Sequence, residues 1–459
     1  MTGREKSEIR KLAEFIRSLT WEQIPPRVQD TAAFRVLDLV SVAAGASWDP
    51  LVDRIAASLL LQEKKGDFGV WGRKETYSLT GAVMVNAMLA HTLELDDVHP
   101  ASKTHGSASL IPAAWSCAQY LGRTGKEFLT AVVCGYETVN RIGMALGVSS
   151  HRNRGWHATA TCGVFGSAAA CAKLLNLDAE QIVSALGMAG TQSCGVWAFL
   201  GDGSSCKILH TARAAVNGLE AAFLAQAGMT GPEHILDAAD GGLLTAMSDG
   251  GDIRQVSEGL GQVWEILNMD RKPYPCCRST HCAVDCALEL RKQMMQDGGA
   301  DPERITRVQI RTYLVGYKQC AVSEGCLHPQ TPLDAKFSTP YAVAAALLYG
   351  RVTMEEFRAQ VVASAKIQAL LAKVQVEPDD GFTARYPRHW GCSMKIIMEH
   401  GAVYETEVQD PSGSADRPLS REQAVQNARE LLGAAYAGRE EEVIRRILNM
   451  KDQATVDYE

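Results

Sequence analysis

Two kinds of hydrophobic spacing divide this sequence. In the first half, apolar residues recur every three or four positions, as in "KILHTARAAVNGLEAAFLAQAG" from Lys207 to Gly228, which predicts amphipathic helices. From about residue 270 the spacing changes. There "RVQIRTYLV" alternates, with Val308, Ile310 and Thr312 on one face, as in a half-buried strand. The pattern predicts a helical first half followed by a part that mixes strands with helices.

Further elements follow from the same patterns. The second part is expected to hold a smaller α+β unit, and the chain becomes helical again after it, with a serine at the N-cap position. The predicted elements are strands at 372–378 and in a hairpin that starts at Ser393 and turns at His400-Gly401, helices at 282–296 and 338–349, and a final helix capped by Ser420.

Composition narrows the class of protein. The 459 residues are 46% hydrophobic and 22% charged, with a net charge of -7, which is the balance of an ordinary globular protein and offers no basic patch for nucleic acid. The apolar stretches are too short to span a bilayer, and the charged N-terminus lacks the core of a secretory signal. Thirteen cysteines scattered in apolar context indicate reduced thiols. We therefore expect a cytoplasmic protein without nucleic-acid or membrane partners.

The stretch "HTLELDDVHPASKTHGSASLIPAA" concentrates ionisable groups between apolar segments. Three interpretations compete: a metal site built from Asp97, His99 and His105, an acid–base site, or a solvated loop. The spacing matches no rigid metal-ligand motif. Histidine titrates near neutral pH and neighbouring carboxylates can fix its tautomer, which favours an acid–base site. The ionisable residues are Glu94, Asp96, Asp97, His99, Lys103 and His105.

Two further positions carry candidate chemistry in the first half. His157 precedes a helix of very small residues, where it is either a satisfied core residue or part of a pocket rim. Lys207 is predicted in the first turn of a helix that Asp202, Gly203 and Ser204 precede as a turn and N-cap. The positive end of the helix dipole repels a lysine there, so an anionic ligand or simple exposure would explain it.

The segment "DRKPYPCCRSTHCAVDC" displays several polar side chains after a rigid Pro-Tyr-Pro turn. Adjacent cysteines point in different directions and no second C-x-x-C completes a zinc site, so no metal is predicted. Lysine and arginine suit substrate carboxylates, and histidine suits proton transfer. Together these residue types predict proton abstraction beside a carboxylate without a redox cofactor. The residues displayed are Lys272, Cys276, Cys277, Arg278 and His281.

Several blocks resemble the MmgE/PrpD family, whose members dehydrate 2-methylcitrate, decarboxylate cis-aconitate or epimerise iminodisuccinate. These blocks include "ELDDVHPASKTHGSASLIPAA", "DGSSCKILHTARAAVNGLEAAFLAQAGMTGP", "KPYPCCRSTHCAVD" and "TPLDAKFSTPYAVAAALLYG". The resemblance implies a mainly α protein, a homodimer that needs no metal or organic cofactor. It also implies an all-helical domain at 1–268, completed by C-terminal helices within 411–459, and an α+β lid domain at 269–410.

The resemblance also assigns roles to individual residues. Lysine and arginine positions would bind substrate carboxylates, and histidine and tyrosine positions would move protons. Glu94 stands where the decarboxylases have aspartate. Cys277 stands where they have histidine, although His281 could substitute for it. The implied catalytic residues are His105, His157, Lys272, Tyr317 and Asp97, and the implied substrate-binding residues are Lys207, Glu94, Arg278, His281 and Cys277.

The departure at Cys277 decides the predicted reaction. A thiol, with an unperturbed pKa of about 8.5, is a poor substitute for a protonatable imidazole at neutral pH. We therefore predict a cofactor-independent lyase of a small di- or tricarboxylate, similar first to a 2-methylcitrate dehydratase. An epimerase of a substituted succinate and a cis-aconitate decarboxylase are the alternatives, and a non-catalytic carboxylate-binding protein is the alternative of another class.

Overall fold

The computed structural model describes residues 6–297 and 301–457. These residues form two units. Unit 1 comprises residues 6–197, 206–269 and 420–457, and unit 2 comprises residues 198–205, 270–297 and 301–419. The chain therefore leaves unit 1 for the short segment 198–205 and returns directly before Lys207.

Helices build nearly all of unit 1. A two-residue antiparallel ladder joins β1 (Phe68–Gly69) to β2 (Thr76–Tyr77). Short 3-10 turns lie at Trp21–Gln23, Ile253–Val256 and Glu265–Asn268, and the turn at Trp197–Gly201 begins at the last residue of unit 1 before the segment 198–205. The helices before residue 250 are α1 (Glu8–Ser18), α2 (Pro26–Gly45), α3 (Pro50–Gln62), α4 (Leu79–Thr92), α5 (Ser107–Leu121), α6 (Gly125–Leu146), α7 (Val148–Asn153), α8 (Ala158–Leu174), α9 (Ala179–Thr191), α10 (Lys207–Gln226) and α11 (Leu243–Met247).

Small residues let the helices of unit 1 approach closely around α8, which packs against α5, α6 and α10. A Cβ atom added at Gly163 would lie 2.7 Å from Oγ of Ser109. One added at Gly218 would lie 2.5 Å from the carbonyl oxygen of Val164. Larger side chains would force the backbones apart. The Ala- and Gly-rich composition is thus what brings the ends of α4, α8 and α10 together.

Unit 2 is an α+β unit around a four-stranded sheet in the order β4-β3-β5-β6. The strands are β3 (Ile305–Thr312), β4 (Val374–Pro378), β5 (Cys392–Met398) and β6 (Val403–Val408), with β3 parallel to β4 and the other pairs antiparallel. The helices are α12 (His281–Gln296), α13 (Leu314–Cys320), α14 (Glu324–Leu327), α15 (Pro332–Lys336), α16 (Thr339–Tyr349), α17 (Ala359–Val362), α18 (Ala365–Leu371) and α19 (Asp380–Arg385), with 3-10 turns at Arg278–Thr280, Pro302–Arg304 and Met354–Phe357.

The two faces of this sheet differ, as the alternating pattern predicts. Val308, Ile310 and Thr312 are buried, and α12 and α16 contribute to the same hydrophobic core. Arg307 and Arg311 are exposed on the other face. The predictions of β3, the hairpin and the two long helices of unit 2 are confirmed.

The chain returns to unit 1 through α20 (Arg421–Gly433) and α21 (Glu440–Leu448), followed by a 3-10 turn at Met450–Asp452. Oγ of Ser420 accepts a hydrogen bond from the backbone N–H of Gln423, as predicted for the N-cap. Both helices pack against α2. In the described part of the chain, length and apolar content together leave no helix that could span a bilayer.

Candidate active site

The end of α4 places two polar side chains against Lys207. The helix ends at Thr92, and Glu94 adopts a left-handed backbone conformation with φ of 60°, which is costly for a residue with a side chain. The Lys207 ammonium donates to Oε1 of Glu94 and lies 2.5 Å from Nε2 of His91. All three side chains are buried. The strained turn therefore holds a carboxylate where it neutralises a buried cation.

Lys207 lies in the first turn of α10, as predicted, and is its first residue, but the predicted N-cap is wrong. The cap position is Cys206, whose side chain makes no capping hydrogen bond. Asp202 instead accepts the backbone N–H of Ser204 at 3.0 Å, which closes a turn ahead of the helix. Lys207 thus lies at the positive end of the α10 dipole, and Glu94 offsets this unfavourable placement.

Asp96 joins two histidines in the interior of unit 1. Its Oδ2 lies 2.6 Å from Nδ1 of His91 and 3.2 Å from Nδ1 of His105. Burial alone would raise the pKa of Asp96, but the two imidazoles more than offset this and hold the pKa well below its usual value. Burial lowers the pKa of His91 to about 4, against the opposing effect of Asp96. At neutral pH, Asp96 is therefore a carboxylate and His91 a neutral imidazole.

A second histidine pair lies next to this group. His157 occupies the N-cap position of α8, and its Nδ1 lies 2.9 Å from Nδ1 of His210. The rings of His91 and His157 stack with centroids 6.1 Å apart. Burial, reinforced by the positive charge of Lys207, holds the pKa of His157 well below its usual value. His157 is thus neutral and suited to hydrogen bonding rather than to carrying charge.

Asp97 and His99 face partners other than His105. The Asp97 carboxylate accepts hydrogen bonds from the hydroxyl groups of Ser107 at 2.6 Å and Tyr136 at 2.7 Å. Burial raises the pKa of Asp97. Nε2 of His99 lies 3.1 Å from Oε2 of Glu265. The structure therefore does not bring together the three residues of the metal hypothesis, Asp97, His99 and His105. The catalytic role that the resemblance implies for Asp97 stays a prediction.

Other side chains have the chemistry to ligate a metal. Within the described residues, two groups bring three potential ligand atoms within 4.8 Å of one another, namely His91, Asp96 and His105 in unit 1 and His389, Asp410 and Asp416 in unit 2. In unit 1 the ammonium of Lys207 lies 2.5 Å from His91, and its positive charge would repel a cation. In unit 2 Asp416 is paired with Arg388 at 2.8 Å. Both donor sets thus favour hydrogen bonds and ion pairs over a metal.

In unit 2, Arg278 and His281 belong to a buried network. Arg278 pairs with Asp270 at 2.9 Å, donates to Nδ1 of His281 at 2.9 Å, and donates to the carbonyl oxygen of Ser412 at 2.8 Å. Nε2 of His281 donates to the carbonyl oxygen of Cys276 at 3.2 Å. Burial holds the pKa of His281 well below its usual value. These contacts stabilise the fold of unit 2, and the substrate-binding role of both residues stays a prediction.

The remaining candidates of unit 2 lie close to the start of α12 or on α13. The side-chain amide of Gln319 donates to Sγ of Cys277 at 3.1 Å, and the backbone N–H of Cys277 donates to the carbonyl oxygen of Lys336 at 2.8 Å. Tyr317 is half-buried on α13, whereas Lys272 is 3% exposed. Cys277 is thus held by neighbours on two sides, and the roles of Lys272 and Tyr317 stay predictions.

Three residues of the unit 1 cluster were not among the predicted site residues. His210 lies three positions after Lys207 on α10, and this helical spacing is a signal that could have found it. His91 lies at the last turn of α4, and Asp96 follows the strained turn. The orientation of both side chains depends on where α4 ends, which is at Thr92. The cluster is therefore larger than the sequence indicated.

This helical unit with its buried lysine and histidines, together with the α+β unit, defines a class of protein. The chain belongs to the MmgE/PrpD family. Residues 10–256 match the MmgE/PrpD N-terminal domain, and residues 274–453 match the MmgE/PrpD C-terminal domain. The predicted family and fold class are confirmed.

Individual relatives are lyases of two kinds. The cis-aconitate decarboxylase-like protein oryM of Aspergillus oryzae is 27% identical, over 97% of this chain and 95% of that protein. The cis-aconitate decarboxylase of Mus musculus is 26% identical, over 91% and 85% respectively. The 2-methylcitrate dehydratase of Salmonella typhimurium is 26% identical over 55% of this chain and 52% of its own length. The similarity to decarboxylases thus extends over nearly the whole chain.

Proposed function

We propose that this protein is a lyase of a small di- or tricarboxylate, with decarboxylation of a cis-aconitate-like acid as the first candidate reaction. The observation that carries the proposal is the buried ammonium of Lys207 within a group of imidazoles in unit 1. A buried cation provides a strong partner for a substrate carboxylate. An imidazole beside it can exchange a proton with the adjacent carbon.

His105 is the imidazole best suited to this proton transfer. Its side chain is 13% exposed, whereas those of His91 and Asp96 are fully buried. In a decarboxylation, the bond to the carboxylate carbon breaks, CO2 leaves, and the electron pair left on the substrate takes a proton. In a dehydration, a proton leaves the carbon beside a carboxylate, and the hydroxyl group leaves with a proton as water. One positioned imidazole can serve either reaction.

The extent of similarity favours decarboxylation over the dehydration that Cys277 suggested. The decarboxylase-like protein of Aspergillus oryzae and the cis-aconitate decarboxylase of Mus musculus match 97% and 91% of the chain, whereas the 2-methylcitrate dehydratase of Salmonella typhimurium matches 55%. Dehydration is the second candidate because position 277 carries a thiol, which accepts a hydrogen bond from Gln319. An imidazole at this position would instead be able to carry a proton near neutral pH.

Proton NMR of the purified protein with a panel of acids in deuterated water tests the proposal. The panel contains cis-aconitate, citrate, 2-methylcitrate and substituted succinates, and Lys207→Met is the inactive control. We expect itaconate-type signals from cis-aconitate. New vinyl signals from citrate or 2-methylcitrate would establish dehydration instead, and deuterium entering a succinate at the carbon beside the carboxylate would establish an epimerase.

A Cys277→His variant separates the first two candidates further. If decarboxylation needs an imidazole at position 277, the variant should decarboxylate faster than the native protein, with Cys277→Ser as the matched control. If every acid of the panel stays unchanged but one of them binds, the protein is a carboxylate-binding protein. That outcome would overturn the proposed lyase activity.

A further inference from the structure

His91 and Asp96 connect two groups that have predicted roles, although neither was assigned a role of its own. His91 lies between Lys207 and Asp96, and Asp96 lies between His91 and His105. All the contacts are within unit 1. These four side chains, Lys207, His91, Asp96 and His105, form a continuous series from the ammonium to the imidazole that is best placed for proton transfer, and we call this series the relay.

The lysine end of this series fixes the tautomer of His91. An ammonium group has only donors, so Nε2 of His91, 2.5 Å from Nζ of Lys207, must accept. The proton of the neutral ring is therefore on Nδ1, which donates to Oδ2 of Asp96 at 2.6 Å. One geometry satisfies both ring nitrogens, and reversal of the tautomer would disrupt both contacts.

The carboxylate end favours one tautomer of His105 through an electrostatic contact. Nδ1 of His105 lies 3.2 Å from the Asp96 oxygen that accepts from His91. Nδ1 makes no aligned hydrogen bond to a described residue, but a carboxylate accepts and does not donate, so this contact favours the tautomer with the proton on Nδ1. The lone pair, or the exchangeable proton, is then on Nε2, the nitrogen on the other side of the ring.

We propose that Asp96 and His91 are positioning residues. They hold the His105 ring so that Nε2 is the nitrogen that transfers the proton, and they connect the orientation of this ring to the Lys207–Glu94 pair. This inference rests on the proposed function, because it describes how that function's proton-transfer group is held. With Nδ1 directed at Asp96, Nε2 is the ring atom left to give or take the proton.

His105 and His157 have different neighbours within the cluster. His157 contacts a neutral imidazole, His210, at 2.9 Å, whereas His105 contacts a carboxylate. Of these two rings, His105 is the one that a carboxylate orients and whose side chain is 13% exposed. The proton-transfer role therefore belongs to His105, and His157 is left to donate or accept a hydrogen bond.

Three variants and one control test the relay by kinetics. Asp96→Asn presents an amide that can donate to His105 and so permits the reversed tautomer. We expect kcat to fall by about 100-fold or more, the contribution of a positioned acid or base, with KM within about threefold. His91→Leu should lower kcat by about tenfold, as for one lost hydrogen bond. His91→Gln, which can accept from Lys207 and donate to Asp96, should restore kcat to within about threefold of the native value.

The control is Asp237→Asn, which makes the same change beside His234. That pair lies on the surface of unit 1, with its atoms 3.1 Å apart. Its kcat should match that of the native protein. If Asp96→Asn leaves kcat unchanged, or if His91→Gln is as impaired as His91→Leu, the proposed relay is overturned.

A spectroscopic measurement tests the relay without any substrate. Long-range proton–nitrogen correlation spectra of the nitrogen-15-labelled full chain report the tautomer of each histidine, with assignment from His91→Gln and His105→Gln. We expect the proton on Nδ1 of both rings in the native protein and a changed tautomer of His105 in Asp96→Asn. A native His105 with its proton on Nε2 would overturn the relay, whether or not a substrate is found. Absence of turnover with the expected tautomers would overturn only the proposed function.

Discussion

The carboxylates of Asp96 and Asp97, adjacent in the chain, face different partners within unit 1. Asp96 contacts an imidazole, with 2.6 Å between its Oδ2 and Nδ1 of His91. Asp97 accepts hydrogen bonds from the hydroxyl groups of Ser107 and Tyr136 at 2.6 and 2.7 Å. The first contact belongs to the histidine cluster, and the second connects the start of α5 to α6. The two aspartates are therefore expected to respond differently to the same substitution.

The main expected effect of Asp97→Asn is a loss of folding stability. An amide oxygen is a weaker acceptor than a carboxylate, and two buried hydroxyl groups depend on it, so we expect the free energy of unfolding to fall by about 1–3 kcal/mol. Denaturant unfolding measures this loss. The tautomer spectrum of His105 should stay native. If kcat falls while the unfolding curve does not move, Asp97 acts on the substrate directly, as the family resemblance implies.

The Lys207–Glu94 pair should show strong coupling in a double-mutant cycle. Lys207→Met leaves a buried carboxylate uncompensated and Glu94→Gln leaves a buried ammonium, and each should cost about 3–5 kcal/mol. The double variant should cost much less than the sum. Unfolding free energies of the four proteins provide the coupling energy.

A surface pair provides the matched control for this cycle. The ammonium of Lys395 on β5 contacts Glu405 on β6, and the two side chains are 43% and 58% exposed. Lys395→Met with Glu405→Gln should give a coupling of about 0–1 kcal/mol. Equal coupling in the two cycles would show that burial does not strengthen the Lys207–Glu94 pair.

The native protein should lose stability in mild acid through His151. Burial lowers the pKa of this histidine to about 4, while its Nε2 lies 3.0 Å from the hydroxyl oxygen of Thr161. Between about pH 6.5 and 4 the unfolded chain binds a proton that the folded protein does not. The contribution of this neutral histidine to the free energy of unfolding is therefore fully present above pH 6.5. It falls by about 1.4 kcal/mol per pH unit as the pH drops from 6.5 towards 4.

Melting temperatures of native protein and His151→Gln between pH 7.5 and 4.5 test this dependence. The native curve should fall more steeply towards acid than that of the variant. His234→Gln, at an exposed position, controls for the loss of a histidine without burial. Parallel native and His151→Gln curves would contradict the prediction.

Arg278→Lys should destabilise unit 2 although it keeps the charge. The guanidinium reaches Asp270, His281 and the carbonyl oxygen of Ser412 together, a geometry that one ammonium cannot reproduce. We expect a loss of at least about 2 kcal/mol in unfolding free energy, because buried hydrogen bonds to a charged group are lost. A native unfolding curve combined with a raised KM would instead favour the substrate-binding role that the resemblance implies.

Elements after residue 270 were predictable because their patterns are local. The alternation around Val308 and Ile310 defined β3, and Ser420 marked the start of α20. The N-cap of α10 was not predictable in this way. Asp202 and Ser204 have the right chemistry for a cap, but Oδ1 of Asp202 accepts the backbone N–H of Ser204 in a turn ahead of the helix. Turns and caps use the same residue types, so composition alone does not separate them.

Prediction of the site failed where the answer depended on the direction in which a side chain points rather than on the residue type. The sequence indicated an acid–base stretch from Glu94 to His105 and singled out Lys207. It could not show which of two adjacent carboxylates faces the histidines, because that depends on the left-handed conformation of Glu94 and on α4 ending at Thr92. Such a conformation is set by the packing of distant helices rather than by local preference.

The packing of α20 against α2 has a consequence for synthesis of the protein on the ribosome. A Cβ atom added at Gly45, the last residue of α2, would lie 3.0 Å from Cδ2 of Leu431 on α20. Translation produces α2 early and α20 only after all of unit 2. The face of α2 that packs against α20 therefore stays uncovered by α20 while the intervening residues are synthesised. During that interval it is apolar surface that chaperones can bind.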